Sequence, residues 1–141
     1  MDSVLLDTNV LLDFFEIPRP EHATSVILLN ELFQTGTSIY VPATSLKDVY
    51  YVLSNRIGEP MARTAISSIL DTMLIFPVDE NCCRRALTYD EPDFEDGIIR
   101  TAAEMARVDY LISRDAHAFV GSLVPRLTPA EVLRELIPHS Q

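Results

Sequence analysis

The chain has 141 residues, 48% hydrophobic and 23% charged, a make-up that argues for one globular domain over 1–141 and against disorder or two domains. Its 21 acids against 11 bases give a formal net charge of −10, the wrong sign for passive attraction to nucleic acid, so such a substrate would need positive charge supplied locally. Adjacent Cys82 and Cys83 fit neither a zinc knuckle nor a disulfide framework, and the opening residues hold neither a basic leader nor a membrane span, so the expectation is a cytoplasmic protein.

Val4 to Leu6 reads as a short buried strand, and Asp7-Thr8-Asn9 supplies capping residues for a helix over 10–15 that Pro18 and Pro20 end. A helix over 21–34 follows, with Val26, Leu29, Leu32 and Phe33 at helical spacing before Gly36. A second strand covers 38–41. From Pro42 the next helix carries Leu46, Val49, Tyr50, Leu53 and Ile57 on one stripe, is stopped by Gly58, and holds Asp48 on the flank of that stripe. The pattern then gives a helix over 60–73, a third strand over 74–78 and a helix over 79–89 that includes both cysteines. After Pro92, the residues Phe94, Ile98, Ala102 and Met105 predict an apolar helix face, with Asp93 and Asp96 at its amino end where negative charge is favoured. A fourth strand over 110–113, a helical turn over 116–120, an edge strand over 124–127 and a final helix opened by Thr128-Pro129-Ala130-Glu131 complete the chain.

Strands alternating with helices predict an α/β three-layer sandwich around a mostly parallel sheet of four to five strands, because parallel neighbours need crossover connections. Ligands of such sheets collect beyond the carboxyl ends of the strands. Asp7 and Asp115 fall just past strand ends, and Asp48 and Asp96 would lean over that rim from helices. Carboxylates gathered without a cation repel one another, whereas Mg²⁺ or Mn²⁺ accepts oxygen ligands and keeps positions for water and phosphate. Such an ion also answers the charge problem, since it presents positive potential where a phosphate must lie. The chemistry this permits is phosphodiester hydrolysis.

Val4-Leu5-Leu6-Asp7-Thr8-Asn9-Val10-Leu11-Leu12-Asp13 resembles the opening of a PIN domain, the nuclease module of VapC-type toxins. Asp48 on the third helix, the pair Asp93 and Asp96, and Asp115 after Ser113-Arg114 match that family's acidic positions in order, over nearly the whole chain. Asp48 stands where many relatives carry Glu, one methylene longer, which favours contact with a metal through water. The resemblance implies a Mg²⁺- or Mn²⁺-dependent endoribonuclease cutting single-stranded or structured RNA. Asp7, Asp48, Asp96 and Asp115 would be its catalytic metal ligands, with Asp93 as an assisting ligand. It further implies a homodimer neutralised by an antitoxin whose tail fills the cleft. Thr8, Asn9 and Ser113 would orient ligands or water.

Singly, each acid could be a cap or turn residue; four in this order are better explained by a shared site. Asp13 and Asp109 read as surface or local hydrogen-bonding residues, Tyr51 as a weak candidate for base stacking, and Arg100 as an ion-pair partner or phosphate contact. His22, His117 and His139 read as surface or packing residues, with an outer role for His117 a minor alternative. Aspartyl phosphotransfer at Asp7 is disfavoured because the sole Lys47 lies beside Asp48 and position 9 is Asn. A catalytically silent binding module is disfavoured by the intact acidic set.

Overall fold

A computed structural model describes residues 1–136; His139 lies outside the described residues. Five strands, β1 (Ser3–Leu6), β2 (Ser38–Pro42), β3 (Leu74–Phe76), β4 (Tyr110–Ile112) and β5 (Arg126–Leu127), form one sheet in the order β3-β2-β1-β4-β5. Every neighbouring pair is parallel, as the alternation of elements requires. The helices are α1 (Thr8–Phe15), α2 (His22–Gln34), α3 (Ala43–Ile57), α4 (Glu59–Thr72), α5 (Glu80–Ala86), α6 (Phe94–Ala106) and α7 (Pro129–Leu136).

The pleat of β1 sorts the helices into two outer layers. Val4 and Leu6 point into a core shared with Val10 and Leu11 of α1, Leu28 and Leu32 of α2, Leu53 of α3, Ile69 of α4 and Val132 of α7. Leu5 points the other way, with Leu111 of β4, against Ile99, Ala102 and Ala103 of α6. Val4, Leu5 and Leu6 are all 0% exposed, so β1 is buried on both faces, which is why its sequence is a continuous apolar run. Among the described residues no helix is long and apolar enough to cross a membrane.

Several expectations shift. β3 stops at Phe76, and α5 stops at Ala86 because the amides of Thr88 and Tyr89 turn back three residues, to Arg85 and Ala86, instead of four. Residues 116–120 are not helical. The Asp115 carboxylate does accept from the amides of His117 and Ala118, as at a helix start, but Phe119 has φ 67° and gives its amide to Glu91, which ends the turn. The buried face of α6 is Ile98, Ile99, Ala102 and Ala103, while Phe94 and Met105 at its ends are exposed. In α2 likewise, Leu28 replaces Phe33 on the buried face. Apolar periodicity located each helix, but the exact stripe depends on the sheet beneath it. The reciprocal bonds between Thr128 and Glu131 at the start of α7 are those of a capping box.

Because β2 lies on one side of β1 and β4 on the other, the winding reverses between β1 and β4. Their carboxyl ends therefore open a crevice, the usual ligand position in sheets of this kind.

Candidate functional site

Asp7 follows β1 directly and caps α1, its Oδ1 accepting from the Thr8 amide at 2.7 Å. Its own amide bonds the carbonyl of Ile112, which stitches the end of β1 to the end of β4. Oδ2 accepts from the Ser113 hydroxyl at 2.7 Å, and the same hydroxyl accepts from the Asp115 amide at 3.0 Å. Ser113, itself 0% exposed, thus couples the two strand-end acids. Asp7, Asn9, Arg114 and Asp115 line a cleft of about 230 Å³. The Thr8 hydroxyl bonds Ser45 of α3 at 2.9 Å, in buried surroundings, and so fixes α1 against the helix that carries Asp48.

The remaining acids arrive from α3 and α6. Asp93 caps α6, accepting from the Asp96 amide at 2.8 Å. Asp96 lies close enough to Asp93, Asp7 and Asp115 for their charges to act on it. Glu95 stands beside Asp48, close enough for that carboxylate to act on its titration.

Charge crowding is visible in the titration of these groups. Glu95 is pushed up to about 7 by partial desolvation, then by Asp48 and by Asp93 and Asp7. Asp96 is pushed up to about 7 by partial desolvation, then by Asp93, Asp7 and Asp115. Asp7 is raised by burial and by Asp115, against the lowering effect of its bonds from Ser113 and Thr8. The donor set is all oxygen, which suits a hard divalent cation and not zinc. Among the described residues, no three acid, His or Cys side chains stand close enough as placed to ligate one ion together.

A family model described as the PIN domain matches residues 3–117, a span that holds every acid named above. The chain belongs to the PIN-domain family. No curated protein sequence matches it significantly. Its fold resembles PIN-domain structures of toxin systems. The Mycobacterium tuberculosis toxin VapC20, described as cleaving the sarcin-ricin loop, is 16% identical with a TM-score of 0.64, over 84% of this chain and 90% of that one. A toxin–antitoxin complex from Klebsiella pneumoniae is 24% identical with a TM-score of 0.66, over 89% and 97%. VapBC2 of Rickettsia felis, bound to a DNA fragment from its promoter, is 12% identical with a TM-score of 0.68, over 89% and 98%. At these identities the likeness establishes the PIN fold alone.

Within this PIN domain, Asp7 and Asp115 line one cleft, their charges and that of Asp93 act on Asp96, and Asp48 stands beside Glu95. Glu95 was missed by sequence reasoning. Its signal is the acidic run Asp93-Phe94-Glu95-Asp96, in which Glu95 is a third carboxylate at the start of α6. Asp13 is not a surface residue: it is 0% exposed and bonds Arg114. Asp109 is exposed, as a surface residue, but its carboxylate bonds the distant amides of Asp2 and Ser3 rather than its own turn. Arg100 pairs with Glu91 at 3.0 Å and Glu104 at 3.3 Å, bonds the Gly121 carbonyl and stacks on Tyr89; it does not pair with Asp96. Tyr51 is exposed on α3, and His117 is exposed beside Asp115.

Proposed function

We propose that this PIN domain, spanning 1–141, is a metal-dependent endoribonuclease and the toxin of a toxin–antitoxin pair. The observation that supports the reading is the coupling of Asp7 and Asp115 through Ser113 on one cleft at the winding reversal of a parallel sheet, with Asp96 near enough for their charges to act on it. Asp7, Asp48, Asp96 and Asp115 would hold Mg²⁺ or Mn²⁺, with Asp93 assisting. Bound there, the ion supplies Lewis acidity toward a phosphoryl oxygen and a water of lowered pKa.

The chain's own residues do the rest. Ser113 and the Thr8 amide fix both Asp7 oxygens, so this carboxylate presents one orientation to a ligand. Asn9, exposed on the cleft wall, orients water or a phosphate oxygen. Glu95, pushed up to about 7 among its neighbours, would release its proton where a cation is held there and, once ionised, would be able to take a proton from water. The raised pKa values mark carboxylates crowded beyond what stability alone favours, a frequent property of functional sites. Structural likeness to toxin–antitoxin complexes supports an antitoxin partner, and we extend the reading to a homodimer acting on RNA in the cytoplasm.

The test is cleavage of structured and unstructured RNA by purified protein with and without Mn²⁺, beside Asp7→Asn and Asp96→Asn. The wild type is expected to cut only with the ion, and each variant to lose at least about a hundredfold in rate, near the upper end for ligand-shell changes. Equal cutting by all three proteins rejects the site. No cutting by any leaves an RNA- or protein-binding PIN module as the reading, and an acid-labile phosphate on the wild type would indicate phosphotransfer.

A further inference from the structure

Asp13 stands six residues after Asp7 on α1, about 9 Å further along the helix. Its carboxylate is wholly buried, a costly placement for a charge unless partners compensate it. The main partner is Arg114, separated from it by 101 residues of chain: Nε donates to Oδ2 at 2.7 Å and Nη2 to Oδ1 at 3.2 Å. This two-point grip along one edge of the guanidinium is the directional form of the interaction, which lysine cannot reproduce. Arg19 adds a longer bond to Oδ1 at 3.4 Å, and Arg114 Nη1 lies 3.7 Å from Glu21 Oε1, beyond hydrogen-bond range.

Arg114 sits between two residues of the site. Ser113 is tied to Asp7 at the start of α1, Arg114 to Asp13 near its end, and Asp115 follows at once on the cleft wall. A turn held at one point can pivot; held at two points of one rigid helix, it cannot. The apolar anchors Val10, Leu11 and Leu12 already seat α1 in the core, so the helix does not need a buried charge to dock. The charge stands where it can hold the turn.

We propose that Asp13, acting through Arg114, is a positioning residue that fixes the Ser113–Asp115 turn along α1 and so keeps the Asp115 carboxylate beside Asp7. The role of Asp115 in this inference rests on the nuclease reading above; the clamp itself does not. The pair contributes order to a turn whose acid, Asp115, is itself exposed.

The experiment compares wild type, Asp13→Asn, Arg114→Gln and the double variant in three measurements: amide hydrogen exchange, Mn²⁺ affinity by calorimetry, and kcat and KM on RNA. Arg114→Gln is expected to speed exchange at residues 113–118 while leaving β1 protected, to weaken Mn²⁺ binding about tenfold, and to lower kcat about tenfold with KM nearly unchanged. Adding Asp13→Asn to it should speed exchange at 113–118 no further, since Asp13 reaches that turn through Arg114 while its Arg19 bond lies elsewhere. If Asp13→Asn does not fold, Arg114→Gln, altered at a partly exposed side chain, still decides the question. A rise in KM with normal exchange and normal Mn²⁺ affinity would make Arg114 a phosphate contact and overturn the proposal, as would additive effects of the two changes on exchange at 113–118, or no effect there. Should the wild type cut no RNA, the nuclease reading fails while exchange alone still judges the clamp.

Discussion

Glu95 and Asp96, side by side at the start of α6, both titrate near 7, far above their ordinary values of 4.5 and 3.8. In the unfolded chain they lose their protons near those ordinary values, so between about pH 4.5 and 7 the folded protein binds more protons and its stability falls as pH rises. Glu104 and Asp109 are shifted the other way and lose their stabilising effect only as pH falls below the ordinary carboxylate range. The metal-free protein should therefore melt highest near pH 5 and progressively lower toward pH 8. A cation must displace the protons, so Mn²⁺ should bind more tightly with rising pH up to about 7 and then level off, raising the melting temperature more at pH 8 than at pH 5. Glu95→Gln should flatten part of both trends in differential scanning fluorimetry; metal-free melting that is level from pH 5 to 8 would refute the crowding. In the sequence Asp7, Asp93, Asp96 and Asp115 stand out because each lies at or near an element boundary, whereas Asp48, in the body of α3, is marked by its place on the flank of the apolar stripe. The sequence could not show that Glu95 turns toward Asp48, because that contact joins two helices far apart in the chain.

At the level of elements, the site depends on how helices meet. The Thr8–Ser45 bond holds the start of α1 against the start of α3, and removing one hydroxyl from this buried pair should cost about 1–2 kcal/mol, read as a lower urea midpoint for Thr8→Ala. Gly97 lets α6 lie directly on α5: a methyl group there would stand 2.7 Å from the Ala86 carbonyl oxygen. Gly97→Ala, favourable by helix propensity alone, should instead destabilise the protein by roughly 1–3 kcal/mol through overpacking. A variant as stable as the wild type would mean that α5 yields without cost. The helix stripes show the same division. Periodicity gave α6 its place and length, but its buried face turned out to be Ile98, Ile99, Ala102 and Ala103, set by contact with β1 and β4. The turn at 116–120 was misread as helical for a related reason: Asp115 begins it as a cap would, and the distant Glu91 takes the amide of Phe119.

Across the whole molecule, a net charge of −10 is combined with arginines largely committed to internal acids: Arg19, Arg56, Arg63, Arg84, Arg85, Arg100 and Arg114 all form ion pairs. Among the described residues the other bases are Lys47, Arg107, Arg126 and Arg134, too few for a long track that follows a nucleic-acid backbone by counterion release. The KM for RNA in Mn²⁺ should consequently rise less than about tenfold between 50 and 200 mM KCl, the response expected for one or two phosphate contacts; a rise of about a thousandfold would reveal a basic surface. The order of residues was sufficient for the parallel sandwich, because short apolar runs separated by amphipathic helices leave only crossover connections, and it marked Asp7, Asp93 and Asp115 as cap or turn residues, because those are local features. The tertiary structure alone decided that β1 and β4 are neighbours, that Asp13 is sealed inside with Arg114, and that Glu95 meets Asp48. Those contacts depend on strand order and on how each helix is rotated against the sheet, and both are fixed by packing between segments distant in the chain, which no local pattern encodes.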